Sequence, residues 1–134
     1  MKKLTVLIFI STLLYIYASA AVAEQLVTSF SGSSSAKTER FKVHAPWIVE
    51  WLVDGDPTRW EAIEVSLIDA STGESQGAVL QREAAGSGVK LFDQSGVFYF
   101  EVDSTMFNWE IKVKQLSKEE AASYSPASNS ILDK

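Results

Sequence analysis

The chain has 134 residues, 12 of them basic and 17 acidic, for a formal net charge of −5, and it contains no cysteine. That length suits one domain, and the acidic balance argues against nucleic acid or an anionic membrane surface as a partner. Without cysteine there is no disulfide framework, no thiolate zinc set and no lipid anchor attached through a cysteine, so the fold must be held by burial alone.

Met1, Lys2 and Lys3 are followed by a run from Leu4 to Ala23 without a charged residue. Basic, then apolar, then small is the layout of a secretory signal. The most apolar part, Leu4 to Tyr17, is about 14 residues, or roughly 21 Å as a helix, short against a hydrocarbon core of roughly 30 Å. Ala21 and Ala23 supply the small side chains a signal peptidase accepts, and the cut is expected after Ala23. Ala18 and Ala20 repeat that spacing, so a cut after Ala20 is the alternative; an uncleaved anchor is the competing reading, because the full uncharged run could just span a bilayer. Removing residues 1–23 takes Lys2 and Lys3 away, leaving 10 basic against 17 acidic residues and a net charge of −7. The product is expected in the periplasm or outside the cell, with no stable membrane anchor after cleavage.

Ser29 to Ala36 is rich in serine and reads as a loop or an irregular first strand. Lys37 to His44 alternates, with Phe41 and Val43 on one face. After Pro46, Trp47 to Val53 is apolar on nearly both faces, as a central strand would be. Asp54, Gly55, Asp56 and Pro57 form a tight turn, where glycine tolerates positive φ and proline presets its own. Ala62 to Asp69 is a strand with Ile63, Val65 and Leu67 inward, and the polar run Ser71 to Gly77 closes a hairpin onto Ala78 to Glu83. Val89 to Phe92 is a short strand. Val97 to Ser104 and Asn108 to Leu116 alternate strongly and are expected to pair as a hairpin. From Ser117 the periodicity ends; one helical turn at Lys118 to Ala122 is the only regular feature expected in a flexible tail.

The expected architecture is therefore all-β: a single antiparallel β-sandwich of seven or eight strands over residues 24–116, after a signal peptide at 1–23 and before a tail at 117–134. A closed barrel is the alternative. The Gly32 to Phe41 segment with its KTERF strand, the WIVEW strand, the run from Gly96 to Val102 and Trp109 to Val113 together resemble small extracytoplasmic bacterial β-sandwich modules, of jelly-roll or pre-peptidase C-terminal-like type. The resemblance covers Ser29 to Leu116. It implies a binding, targeting or assembly domain and carries no catalytic residue.

The residues themselves offer little catalysis. His44 is the one histidine, placed on the polar side of a strand, so a serine triad or a zinc site lacks its parts. Asp54, Gly55 and Asp56 approach a calcium loop without the further carboxylates it needs. Glu50, Glu61, Glu64 and Glu101 could supply a carboxylate pair, but their spacing selects no two. Trp47, Trp51 and Trp109 fall on apolar faces, whereas Trp60 follows Arg59 after a turn. Asp54, Asp56, Arg59 and Trp60 are thus the candidate binding rim, for a protein or glycan partner and with no cofactor. The expected function is a non-enzymatic binding or interaction module; the alternative is a periplasmic inhibitor or immunity-type partner of a toxin or hydrolase.

Overall fold

The structure, a computed structural model, describes residues 24–124. The expected signal segment, with both its cut sites, and residues 125–134 lie outside the described residues. The described residues form nine strands and one helix: β1 (Gln25–Gly32), β2 (Ala36–Lys37), β3 (Phe41–Val43), β4 (Trp47–Asp54), β5 (Ala62–Asp69), β6 (Ser75–Arg82), β7 (Gly86–Phe92), β8 (Gly96–Thr105), β9 (Asn108–Gln115) and α1 (Lys118–Ala122). The protein is all-β in class, with two antiparallel sheets. One runs β1-β9-β4-β7; the other runs β2-β8-β5-β6, with β3 also on β8. β4 lies between β9 and β7, the interior place its two apolar faces required.

The pairing is nested. β1 pairs with β9, β2 and β3 with β8, β4 with β7, and β5 with β6, as in one long hairpin folded back on itself. β4 with β9 and β5 with β8 then knit each sheet together. This overturns the expected hairpin between Val97–Ser104 and Asn108–Leu116: β8 and β9 are consecutive but sit in different sheets. The chain changes sheets at a corner where Met106 adopts φ 68, and Phe107 turns into the core. Alternation fixes which face of a strand is buried, and it carries no information about the neighbour.

The serine-rich stretch is also more regular than its composition indicates. β1 is a full strand against β9, with Phe30 its one large half-buried ring. Trp109 lies flat over Gly32, where a Cβ would stand 2.6 Å from the indole. The backbone ladder, not side-chain burial, defines this strand. Between β2 and β3 the ladder is interrupted at Thr38, whose N–H donates to the Phe100 carbonyl at 3.0 Å while its hydroxyl accepts from the Phe100 N–H at 2.9 Å.

Inward residues of both sheets form one hydrophobic cluster, including Val49, Val53, Ile111 and Val113 from one sheet and Val65, Leu67, Phe100 and Val102 from the other. Its centre is aromatic. Trp47 stacks on Phe92 at 4.4 Å and meets Phe41 edge-on at 5.8 Å. The buried indoles are satisfied: Trp47 Nε1 donates to the Gln94 carbonyl at 2.7 Å and Trp109 Nε1 to the Ser34 carbonyl at 3.0 Å. After β9, Ser117 and Glu120 form a reciprocal capping box that starts α1, and the Tyr124 hydroxyl donates to Glu24. Among the described residues no helix is long and apolar enough to cross a membrane.

Candidate functional site

The nested pairing brings several connections to one end of the two sheets. Asp54 opposes Asn108, Val53 opposes Gly86, Ala62 opposes Thr105 and Ile63 opposes Arg82. The β4–β5 loop, the β6–β7 turn and the β8–β9 corner therefore meet there. Asp56, Arg59 and Trp60 lie on the first of these, and Asp54 stands at the strand end that leads into it.

Asp54 is the exposed last residue of β4. Asp56 opens a β-turn with Pro57 in the second position, closed by the Arg59 N–H donating to the Asp56 carbonyl at 3.1 Å. The Asp56 carboxylate accepts from the Thr58 hydroxyl at 2.6 Å and from the Thr58 N–H at 2.9 Å. Those two donors, the hydroxyl first, hold its carboxyl below the usual aspartate value. Arg59 Nε stands 3.7 Å from the other Asp56 oxygen, an exposed and weak pair. With Asp56 so engaged, the loop projects the next side chain outward: Trp60 is 81% exposed. Trp47 and Trp109 are buried, and Trp51 is half-buried across from Gly88 beneath the Arg82 guanidinium, 5.5 Å from the ring centre.

One residue of this loop was passed over in sequence as a carboxylate among four. Glu61 is only 3% exposed. Its Oε1 accepts a long bond of 3.4 Å from the Asp56 N–H, and its Oε2 has no hydrogen-bond partner among the described residues. Oε2 lies against Gly55 and Phe107: a Cβ on Gly55 would stand 1.9 Å from it and 2.5 Å from the Phe107 ring. Gly55 is thus glycine because two neighbours press on its Cα; it is not among the positive-φ glycines, which corrects the conformational reason expected for this turn. The signal for Glu61 was present in the period of β5, because residue 61 has the inward parity of Ile63, Val65 and Leu67.

Above Glu61 opens a cleft of about 340 Å³, lined by the β4–β5 loop, by Glu83, Ala84 and Ala85 of the β6–β7 turn, and by Phe107. Glu83 also borders a larger depression of about 510 Å³ on the outer face of β5, β6 and β8, where Glu64 stands directly opposite Asp103. The remaining candidates are dispersed. Glu50 accepts from Lys114 Nζ at 2.9 Å, Glu64 from Gln81 Nε2 at 3.3 Å, and Glu101 is exposed opposite Lys37. The main-chain N–H and carbonyl of His44 are both held by the Gln115 amide. Among the described residues no three or more His, Cys, Asp or Glu side chains are placed to hold a metal ion.

No family model matches the chain, and no curated protein matches it.

Proposed function

We propose that this protein is an exported, non-enzymatic binding module built as a single jelly-roll sandwich, which engages a protein or glycan partner through the loops at the Trp60 end. The nested order of strand pairs supports the jelly-roll reading once β2 and β3 are counted as one interrupted strand. The observation that carries the binding reading is Trp60, 81% exposed on a loop braced by the Asp56–Thr58–Arg59 turn. An indole held in water on an ordered loop has no packing role, and it offers a large flat face to a sugar ring or a partner side chain.

The test is capture by the exported product, isolated from cells expressing the full chain, on arrayed envelope glycans and from envelope protein extracts. Trp60→Ala is expected to lower capture by at least about tenfold, the usual scale for losing an aromatic anchor. Capture that is absent from both sources, or indifferent to Trp60, sinks the proposal.

A further inference from the structure

We infer that the free edge of β7 pairs with the β7 of a second copy of this chain, antiparallel about Val89, so that two β1-β9-β4-β7 sheets join into one. This goes beyond the binding reading above and does not involve Trp60.

An open strand edge is a template for another strand, and three of the four edges in the two sheets are blunted against that. β1 carries a bulge between Leu26 and Thr28. β2 and β3 are two and three residues long and are interrupted at Thr38. β6 shifts register twice against β5, and Lys90 Nζ donates to its Ala78 carbonyl at 2.7 Å. β7 has no such defence: its seven residues pair with β4 in unbroken register and none is proline. Its one charged side chain, Lys90, is turned across to β6.

The register shows which main-chain groups are free. The Leu116 N–H donates to the Pro46 carbonyl at 3.2 Å, which extends the β4–β9 ladder by one pair. Ile48, Glu50 and Leu52 therefore direct their main-chain groups to β9, and Trp47, Val49, Trp51 and Val53 direct theirs to Phe92, Lys90, Gly88 and Gly86 of β7. Ser87, Val89 and Leu91 are left with N–H and C=O pointing away from β4, unpaired among the described residues. These three are symmetric about Val89. Across a two-fold axis Ser87 meets Leu91 of the second copy and Val89 meets its own counterpart, each pair exchanging both N–H···O bonds. Lys90 then faces Gly88, and β7 carries no carboxylate, so no like charges stand directly opposite. Val89 is 48% exposed beside Leu52 at 51%, so the seam also covers apolar surface that nothing else covers among the described residues.

The experiment is sedimentation equilibrium and amide exchange on the exported protein, isolated from cells expressing the full chain, between about 5 and 500 µM, the range a small seam calls for. Mass is expected to rise from monomer toward dimer, and exchange at Ser87, Val89 and Leu91 to slow with concentration. Val89→Lys sets a charge at the centre of the seam and should weaken dimerisation by at least about tenfold. Val89→Pro removes only an outward N–H and should match that loss with the fold kept by circular dichroism; if that fold is lost, Val89→Lys decides alone. Val27→Lys, the same change on the edge of β1, and Trp60→Ala should leave the dimer unchanged. A protein that stays monomeric throughout, a dimer indifferent to Val89→Lys, or an equal loss from Val27→Lys overturns the inference. So does exchange at Ser87, Val89 and Leu91 that is already slow in the monomer, which would mean that a segment of the same chain holds the edge. Trp60-dependent capture stands or falls apart from all of these.

Discussion

Gly55→Ala tests whether the cleft is built as described. The added Cβ would stand 1.9 Å from Glu61 Oε2 and 2.5 and 2.6 Å from two Phe107 ring carbons, where carbon contacts are comfortable at about 3.5–4.0 Å. The Glu61 carboxylate is the end of a flexible side chain and can move. Phe107 cannot: it is 2% exposed and packed in the shared core. Overpacking of this kind costs about 1–3 kcal/mol, and for a domain near 100 residues that lowers the thermal midpoint by roughly 4–20 °C. In a Glu61→Ala background one of the three overlaps is gone, so the same substitution should cost at least about 0.5 kcal/mol less. Gly73→Ala is the contrast, since Gly73 has φ 75 and open space around it, and asparagine, which tolerates that conformation, should serve there better than alanine. At Gly55 asparagine should be worse than alanine. Melting curves by circular dichroism decide the matter: a Gly55→Ala midpoint within about 1 °C of the parent, or a loss indifferent to Glu61, refutes the close-approach account.

Trp60→Ala should change stability by less than about 0.5 kcal/mol while removing most of the iodide-accessible tryptophan emission, because the other three indoles are buried or half-buried; unchanged quenching would contradict the exposed position. The Tyr124 hydroxyl, pushed up to about 12 chiefly by its hydrogen bond to Glu24, should ionise late in an alkaline absorbance titration. Its folded value is raised above the ordinary 10.0, so its contribution to stability is complete below pH 10 and is lost as pH rises through about 12. Tyr124→Phe should delete that late step and Glu24→Gln should move it earlier. Ser117→Ala removes the capping box of α1 and should speed amide exchange at Glu120 and Ala121 without moving the global midpoint, since α1 contributes no buried residue. N-terminal sequencing of the exported product should begin at Glu24; a start at Ala21 would place the cut after Ala20, and a retained Met1 would favour the anchor.

The strands that could be read from sequence were those with a continuous apolar face. β5, β8 and β9 show period two because each contributes alternate residues to a single core, and β4 stands out by an apolar run on nearly both faces. β1 escaped because its apolar residues do not alternate: Leu26 and Val27 are adjacent and exposed, Phe30 alone among its large side chains packs on the core, and its hydrogen bonds with β9 define it. The partners of β8 were misread for a deeper reason. Two consecutive strands facing each other across a core bury the same alternation as two strands paired edge to edge. Trp51 needed its register as well: its indole covers Gly88 on the neighbouring strand, a match that exists only once β4 is aligned with β7.

The site illustrates the same separation between local pattern and long-range pairing. The rim, from Asp54 to Trp60, was visible because turn chemistry is local: proline, Asp56 and the Thr58 hydroxyl define it within a few residues. The cleft was not, because Glu61, Glu83 and Phe107 come from three connections that meet only after β5 has paired with both β6 and β8. Phe107 belongs to the core and to the cleft at once, so the cleft keeps its shape only while the aromatic core is intact. Trp60 touches neither constraint. The loop can therefore vary the residue it presents at little cost to folding, whereas Gly55, Glu61 and Phe107 are bound to one another by contact, and a change in any one of them must be answered by the other two.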